Sequence, residues 1–452
     1  MEDLWILISP TMSYQPPSLQ YKSKSMTADS AAALLPASGC LAMPFFCGQP
    51  PGMAQALARR ARAGGFQELK LYYAHGSQAL ADALFHDDIV PDAIAPHCLF
   101  PAGPDRALLN RGRNDHHKRL FFVPSSFSQM PRLVSEYVQL DAITLQVAPM
   151  DQGGWFSTGT VSAFSIAAAS VAKTVIVEVN PRMPRTYGSA IHIRDVDAVV
   201  EHTSEVAELP RHPSGPIDEA IAAQLAPLVK DGSCLQFGIG ALPSAVAGLL
   251  GDRNDLGIHS ELMSDAVLDL IERGQVTNKR KIYEPGRSVF TIAYGTRRLY
   301  DALHDNAGFA CLPANMVNTP AIVGSNPDVV SINSFVEVDL TGQVNAEAVA
   351  GLQYSAVGGQ LDFVRGAGMS KRGVSVLAAH ATAARGKASR IVTHLTGPST
   401  DPRVDVHFIA TEHGLADLRG KSTTERAKAL IAIAAPEFRD ELLHGARSRN
   451  LL

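Results

Sequence analysis

The feature that most constrains this fold is a rhythm. From about residue 38, short apolar runs alternate with amphipathic ones: strand-like GCLAM, helix-like PGMAQALARRARA, then strand-like QELKLYY. Strand, helix, strand in that order builds βαβ units and a parallel sheet, because strands running the same way need a crossover between them. The punctuation agrees with the period. Pro51 stands where a first helical turn tolerates a missing N–H, and Gly64-Gly65 stand where a helix stops. The rhythm continues through FFVPSS, a helix around Met130 to Tyr137, the strand AITLQVA, a small-residue helix from Ser162 to Ala172 and the apolar strand TVIVEV.

The run LPRHPSGPI, Leu209 to Ile217, gathers prolines, a glycine and a serine and is the strongest composition break in the chain. After it the rhythm restarts with helix IDEAIAAQLAPLVKDG, strand SCLQF, helix PSAVAGLLG, strand LGIH and helix DAVLDLIERG. Strands SVFTIA, VVSINSFVEVDL, ASRIVTHL and VDVHFIA, with helices TTERAKALIAIA and PEFRDELLH, are expected to extend a second sheet to the C-terminus. The expected architecture is α/β, with two related open-sheet domains at residues 26–210 and 216–452 behind a loosely ordered lead-in of residues 1–25. A chain of 452 residues is too long for one ordinary core, which agrees.

Bulk properties exclude several classes. A net charge of −4 gives no reason to expect a nucleic-acid partner, and 46% hydrophobic with 19% charged residues is a globular balance. Apolar runs such as VSAFSIAAASVA are shorter than the roughly 20 residues that cross a bilayer, so no membrane association is expected. The start MEDLWILIS has acids ahead of a short apolar run and does not resemble a secretion signal. The five cysteines are scattered without CxxC spacing, and the histidines His75, His116 and His117 have no acid or cysteine at metal-ligand spacing; a reducing, cytoplasmic setting and no metal site are expected.

Several loops fall where open α/β sheets bind ligands, at strand carboxyl ends. Gly238-Ile239-Gly240 follows SCLQF and precedes a helix, so its amides and the helix N-terminus can meet a phosphate or polarise an oxygen, or simply turn the chain. Glu261 in GIHSELMSD follows a strand; it is either a reactive carboxylate or a first-turn acid between the cap residues Ser260 and Ser264. Lys387 ends a loop read as helix-to-strand, as a mobile cation or a solvated lysine, and Glu412 leaves the strand VDVHFIA beside His413. In VEVDLTG, Val336, Val338 and Leu340 alternate with Glu337, Asp339 and Thr341, the period of a strand with one covered face, ended by Gly342. Gly358-Gly359 lets amides approach an anion closely, or serves as a buried bend.

Taken together, FGIGALPSAV, GIHSELMSDAVLDLIERG, EVDLTGQVNAE, VGGQLDFVRGA and TEHGLADLRG resemble the acetyl-CoA hydrolase/transferase family, and within it the 4-hydroxybutyrate CoA-transferases, over roughly residues 28 to 445. The resemblance implies the two-domain fold of class I CoA-transferases, with coenzyme A as co-substrate and no permanently bound cofactor. Glu261 matches the glutamate that becomes a glutamyl-CoA thioester. Gly238, Ile239, Gly240, Ala241 and Leu242 match the CoA-binding loop, Val336, Gly359 and Lys387 match further CoA contacts, and Asn318, Gly358 and Glu412 match supporting active-site positions. Glu337 and Asp339 are then structural. The implied partners are acyl-CoA, of acetyl-CoA or succinyl-CoA type, and small carboxylic acids of 4-hydroxybutyrate, butyrate or itaconate type, in a homo-oligomer, dimer or tetramer. Where relatives often carry a histidine at one strand end, this chain has MPFFCGQP, and Met43, Phe45 and Phe46 are expected to make that wall apolar.

Overall fold

The computed structural model describes residues 15–211 and 213–452. Most of the expected lead-in lies outside the described residues, but its last part is a correction: Pro17–Lys24 forms a helix rather than a loose approach. Proline at the first helical position starts it. Contacts far along the chain then hold it, with Tyr21 Oη donating to Glu201 at 2.9 Å and Lys24 Nζ to the Ile193 carbonyl at 2.8 Å.

The first half builds a seven-stranded sheet. Its strands are β1 (Ser38–Phe45), β2 (Glu68–Ala74), β3 (Ile94–Cys98), β4 (Phe121–Phe122), β5 (Ala142–Val147), β6 (Thr174–Val179) and β7 (Ala198–Glu201). They lie in the order β4-β3-β2-β1-β5-β6-β7, and every pairing is parallel. Chain direction reverses across the sheet between β1 and β5, the switch point where such folds open a crevice at strand carboxyl ends. The helix Pro51–Arg62 returns the chain from β1 to β2, and it buries Met53, Ala54, Leu57, Ala58 and Ala61 on one stripe.

The second half carries a six-stranded sheet. Its strands are β8 (Cys234–Phe237), β9 (Gly257–Ile258), β10 (Val329–Asn333), β11 (Val374–Ala378), β12 (Phe408–Thr411) and β13 (Gly414–Asp417), in the order β9-β8-β10-β11-β12-β13. All pairings are parallel except the final hairpin. Two of the expected strands do not extend this sheet. SVFTIA breaks at Thr291 into Ser288–Phe290 and Ile292–Ala293, which pair with Phe309–Cys311 and Leu262–Met263. The chain turns there because the Thr291 and Ile292 amides both donate to the Glu261 carbonyl, at 3.1 and 3.0 Å. ASRIVTHL likewise supplies Ile391–Val392 to a small sheet with Glu337–Asp339.

That small sheet corrects a second expectation. Glu337, Asp339 and Thr341 are as buried as Val338 and Leu340, so the segment has two covered faces. Its acids are satisfied locally. Glu337 Oε1 accepts from Asn345 Nδ2 and from the Thr396 amide at 3.0 and 2.6 Å, and Asp339 Oδ1 accepts from the Thr341 and Gln343 amides at 2.8 and 3.0 Å. These are the structural roles expected of them.

The two halves share one core. Phe45, Phe127 and Phe164 from the first half pack in the same apolar cluster as Phe237, Met263 and Phe290 from the second. Backbone bonds stitch the seam: Ala293 N to Thr160 O at 2.7 Å, Cys311 N to Tyr187 O at 2.8 Å and Ala314 N to Ala163 O at 2.9 Å. Segment 257–315 therefore belongs in space to both sheets, and the functional cavity opens along this seam.

Candidate active site

The carboxyl ends of both sheets face one cavity. Strands β1, β2 and β3 end side by side, and beyond them stand Phe46, His75 and Phe100, tied laterally by Phe46 N to His75 O at 3.2 Å and His75 N to Phe100 O at 2.8 Å. From the second sheet, β8 runs into Gly238-Ile239-Gly240, and the bend after β9 carries Glu261. Between them lies a cavity of about 200 Å³ that both sets of residues line.

Glu261 is no first-turn acid. The following helix, Asp265–Glu272, begins beyond it with Ser264 as its cap residue, and Glu261 sits in a bend ahead of the short strand Leu262–Met263. Its backbone is fixed from both sides, since Ser260 Oγ donates to the Phe237 carbonyl at 3.1 Å while Thr291 and Ile292 hold the Glu261 carbonyl. The carboxylate accepts a 2.7 Å hydrogen bond from Asn318 Nδ2 at Oε2. Asn318 is fully buried at the end of the short helix Ala314–Val317. Gly359 packs against the same pair. A Cβ there would fall inside the contact radii of Glu261 Oε2 and Asn318 Nδ2, so only glycine fits.

The Gly358-Gly359 turn is clamped to the first half of the chain. Phe127 N donates to Gly358 O at 2.8 Å, and Ser128 gives Asp362 two bonds, from its amide at 2.9 Å and from Oγ at 2.8 Å. Gly358 adopts φ 57°, and a Cβ would press on Phe100 Cε2 at 2.9 Å.

Electrostatics follow from this packing. Burial pushes the Glu261 carboxyl up from its ordinary 4.5 to about 7; the Asn318 bond pulls it back, the charge of Asp362 adds to the rise, and the Gly359 amide again lowers it. Burial raises Asp362 itself to about 6 against the two bonds from Ser128. Burial lowers His75 to about 4, with Arg106 adding to the effect, so its imidazole is neutral at pH 7.

A second cavity, of about 320 Å³, also has Glu261 in its lining. Val336, Phe335, Ser355 and Arg106 line it, and Glu261, Gly358 and Gly359 form its floor. Arg106 lies 3.8 Å over the Tyr354 ring and donates to the Tyr354 carbonyl at 2.8 Å. One glutamate thus lines two chambers, one aromatic and one with a cation at its rim.

A carboxylate held this way by an amide and a glycine, on a residue that lines two chambers, suits acyl transfer, and sequence comparison assigns the class. Residues 10–210 match the acetyl-CoA hydrolase/transferase N-terminal domain, and residues 295–446 match the C-terminal domain. The chain belongs to the acetyl-CoA hydrolase/transferase family. Among its relatives, a succinyl-CoA:cyclohexane-1-carboxylate CoA transferase of Geobacter metallireducens is 39% identical over 434 residues, 95% of this chain and 97% of that protein. A 4-hydroxybutyrate coenzyme A transferase of Clostridium kluyveri is 37% identical over 433 residues, 95% of this chain and 98% of that protein. Among solved structures, RipA from Yersinia pestis superposes with a TM-score of 0.94 at 43% identity, covering 97% of this chain and 100% of that one. The Geobacter and Clostridium relatives are both named as CoA transferases.

Not every position expected from the resemblance converges on Glu261. Asn318, Gly358, Gly359, Val336, Gly238 and Ile239 do. Gly240, at φ 115°, caps the helix Ala241–Leu249 and faces a polar crevice beside the aromatic cavity; Ala241 and Leu242 form that helix's first turn. Lys387 is exposed at the tip of a hairpin between Thr382–Ala383 and Ala388–Ser389, a correction to the helix-to-strand loop, and it lines neither chamber. Glu412 turns between β12 and β13 and spends Oε2 on the Ala381 amide at 2.8 Å. Met43 is another correction: it is fully buried within the first sheet's own core, and only Phe45 and Phe46 reach the wall.

His75, read in the sequence only as a histidine without metal-ligand spacing, is part of that wall. Its signal in the sequence was its place at a strand's carboxyl end in YYAHGS. Gln236, Asn333, Phe100 and the Ser128–Asp362 pair carried no local signal. Among the described residues no group of three or more His, Cys, Asp and Glu side chains could hold a metal, and no helix is long and apolar enough to cross a membrane. The five cysteines are free thiols.

Proposed function

We propose that this chain moves CoA from an acyl-CoA donor, of acetyl-CoA or succinyl-CoA type, to a small carboxylic acid through a glutamyl-CoA thioester on Glu261. The observation that carries it is Glu261, its carboxylate fixed by Asn318 and Gly359 and its side chain in the lining of two cavities. The ionised carboxylate attacks the thioester carbonyl, giving an acyl-glutamyl anhydride and CoA thiolate. The thiolate attacks the glutamyl carbonyl, the original acid leaves as its carboxylate, and CoA remains on Glu261. An incoming carboxylate attacks this thioester to form a new anhydride and release thiolate, which attacks the acyl carbonyl; the new acyl-CoA departs and Glu261 is regenerated. No thioester energy is lost to water, and the kinetics are ping-pong.

The residues have matching tasks. Asn318 Nδ2 and the Gly359 amide stand where the glutamyl oxygen gathers charge, and the Ile239 amide is the candidate donor for the acyl oxygen; one such donor is typically worth roughly 3–4 kcal/mol of transition-state stabilisation. Val336 flanks the CoA arm. The aromatic chamber keeps water from the anhydride, which favours transfer over the hydrolase alternative on the same scaffold. A silent CoA-binding regulator would not need a glutamate held at this cost. We place the enzyme in the cytoplasm, without a nucleic-acid or membrane partner, as a homodimer or homotetramer measurable by light scattering.

Incubation with acetyl-CoA followed by borohydride or hydroxylamine is expected to modify Glu261 alone, with no net release of free thiol and a new acyl-CoA formed only when an acceptor acid is present. An unmodified Glu261 overturns the proposal. Modification with acceptor-independent thiol release would favour the hydrolase.

A further inference from the structure

Resting on the transferase reading, we infer that the chamber between the two sheets takes the body of the carboxylic acid and selects for apolar monocarboxylic acids over dicarboxylic ones. Phe45, Phe46, Phe100, Phe127, Phe237 and Phe363 line it, with Ile292 and Tyr294 between them. Among its lining residues there is no lysine or arginine, and Glu261 is the sole acid. The amides of the lining are already engaged, which leaves the neutral Tyr294 phenol and His75 imidazole as its polar groups. Gln236 Nε2 donates to Asn333 Oδ1 at 3.0 Å, Ser331 Oγ and Asn333 Nδ2 donate to Gln236 Oε1 at 2.6 and 2.9 Å, and Gln360 Nε2 donates to Asp401 at 2.6 Å.

His75 offers no positive charge either. It is neutral at pH 7, packed 4.9 Å from the Phe46 ring and 6.2 Å from Tyr294 between ring centroids. Arg106 lies on the other chamber's rim, stacked on Tyr354. The wall is also built at a conformational cost. Phe46 and His75 hold φ values of 31° and 50°, a left-handed backbone that side-chain-bearing residues adopt only when their surroundings enforce it, and here it turns both rings into the cavity.

Once the reacting carboxylate meets Glu261, the far end of the acid must lie among these rings. Donor and acceptor acyl groups both pass through an anhydride on this glutamate, so the chamber also favours a donor of acetyl-CoA type over one of succinyl-CoA type. A methyl or ring carbon there loses contact with water at a gain. A second carboxylate would be buried with no cation among the lining residues to pair with it, which is costly in a protein interior. A hydroxyl is a milder misfit, which an apolar pocket resists only weakly.

The test uses the full-length enzyme with acetyl-CoA as donor and matched acceptors: butyrate against succinate, and pentanoate against glutarate, with cyclohexane-1-carboxylate as a bulky apolar probe. The expected result is a kcat/KM at least tenfold higher for each monoacid than for its diacid partner, and measurable turnover of the cyclic acid. A diacid within tenfold of its monoacid, while acetyl-CoA still modifies Glu261, overturns the inference and leaves the transferase reading intact. Absence of Glu261 modification and of transfer to every acid overturns both.

Discussion

At the scale of single residues the argument turns on where Glu261 holds its proton. An unfolded glutamate ionises near 4.5 and the folded one near 7, so folding takes up a proton between those values. The stability tied to that proton is fully present below pH 4.5 and is lost as pH rises through 7. Glu261→Gln removes the penalty of burying the charge. The variant is expected to be inactive yet more stable than the parent by roughly 2–3 kcal/mol at pH 8, the gap closing towards pH 4, as read by urea unfolding. In the proposed mechanism the same proton governs rate: its nucleophile must be ionised, so kcat/KM is expected to climb with pH to a plateau above about 7. Asn318→Ala takes away the donor that favours the carboxylate. Its limb should move to higher pH, with activity at pH 7 down by roughly 10- to 100-fold and partly recovered at pH 9. A limb that stays in place would show that Asn318 does not act on the nucleophile.

At the scale of elements, the decisive contact joins the Phe127-Ser128 turn to the first turn of the helix Gln360–Met369. Asp362 takes two bonds from Ser128, and Gly359 stands just ahead of that helix turn, so the link sets how closely Gly359 approaches Glu261. Ser128→Ala leaves one Asp362 oxygen short of a donor in a buried place. A loss of about 1–2 kcal/mol of stability and about tenfold in kcat is expected, with the KM for acyl-CoA little changed. Asp362→Asn removes a charge that opposes ionisation of Glu261, so its pH limb should move down, opposite to that of Asn318→Ala. Parallel shifts in the two variants would contradict this geometry. None of this contact was visible in the sequence: Ser128 and Asp362 are 234 residues apart, and nothing near either marks it as the other's partner. The strands were legible because their signals are local, such as Pro51 and Gly64 bracketing a helix, or the unbroken apolar run of TVIVEV. SVFTIA misled because its bend at Thr291 is imposed by the Glu261 carbonyl. VEVDLTG misled because its acids find donors while buried, Asp339 in the turn that follows it and Glu337 in Asn345 and the distant Thr396 amide.

At the scale of the whole molecule, the sequence reads as two α/β halves with a proline-rich join, and both sheets are there. What spacing could not convey is that residues 257–315 serve both halves. Phe237, Met263 and Phe290 share a cluster with Phe45, Phe127 and Phe164, and the strands around Thr291 and Cys311 bond to Thr160, Ser162 and Tyr187. Cutting the chain at the join would expose that apolar surface and leave those backbone groups unpaired, a cost well beyond the usual 5–15 kcal/mol margin of a folded protein. A fragment of residues 216–452 is therefore expected to lack a cooperative thermal transition and to bind a hydrophobic dye, while the full chain unfolds in a single calorimetric step. The catalytic consequence follows from the same seam. Glu261 and Asn318 lie in the fragment, but the clamp on Gly359 and half the acid chamber come from the other side, so modification of Glu261 by acetyl-CoA should vanish in the fragment even where the peptide remains in solution. If instead the fragment melts cooperatively, at a midpoint also seen as a separate step in the full chain, the halves are independent domains and the shared core contributes little to either.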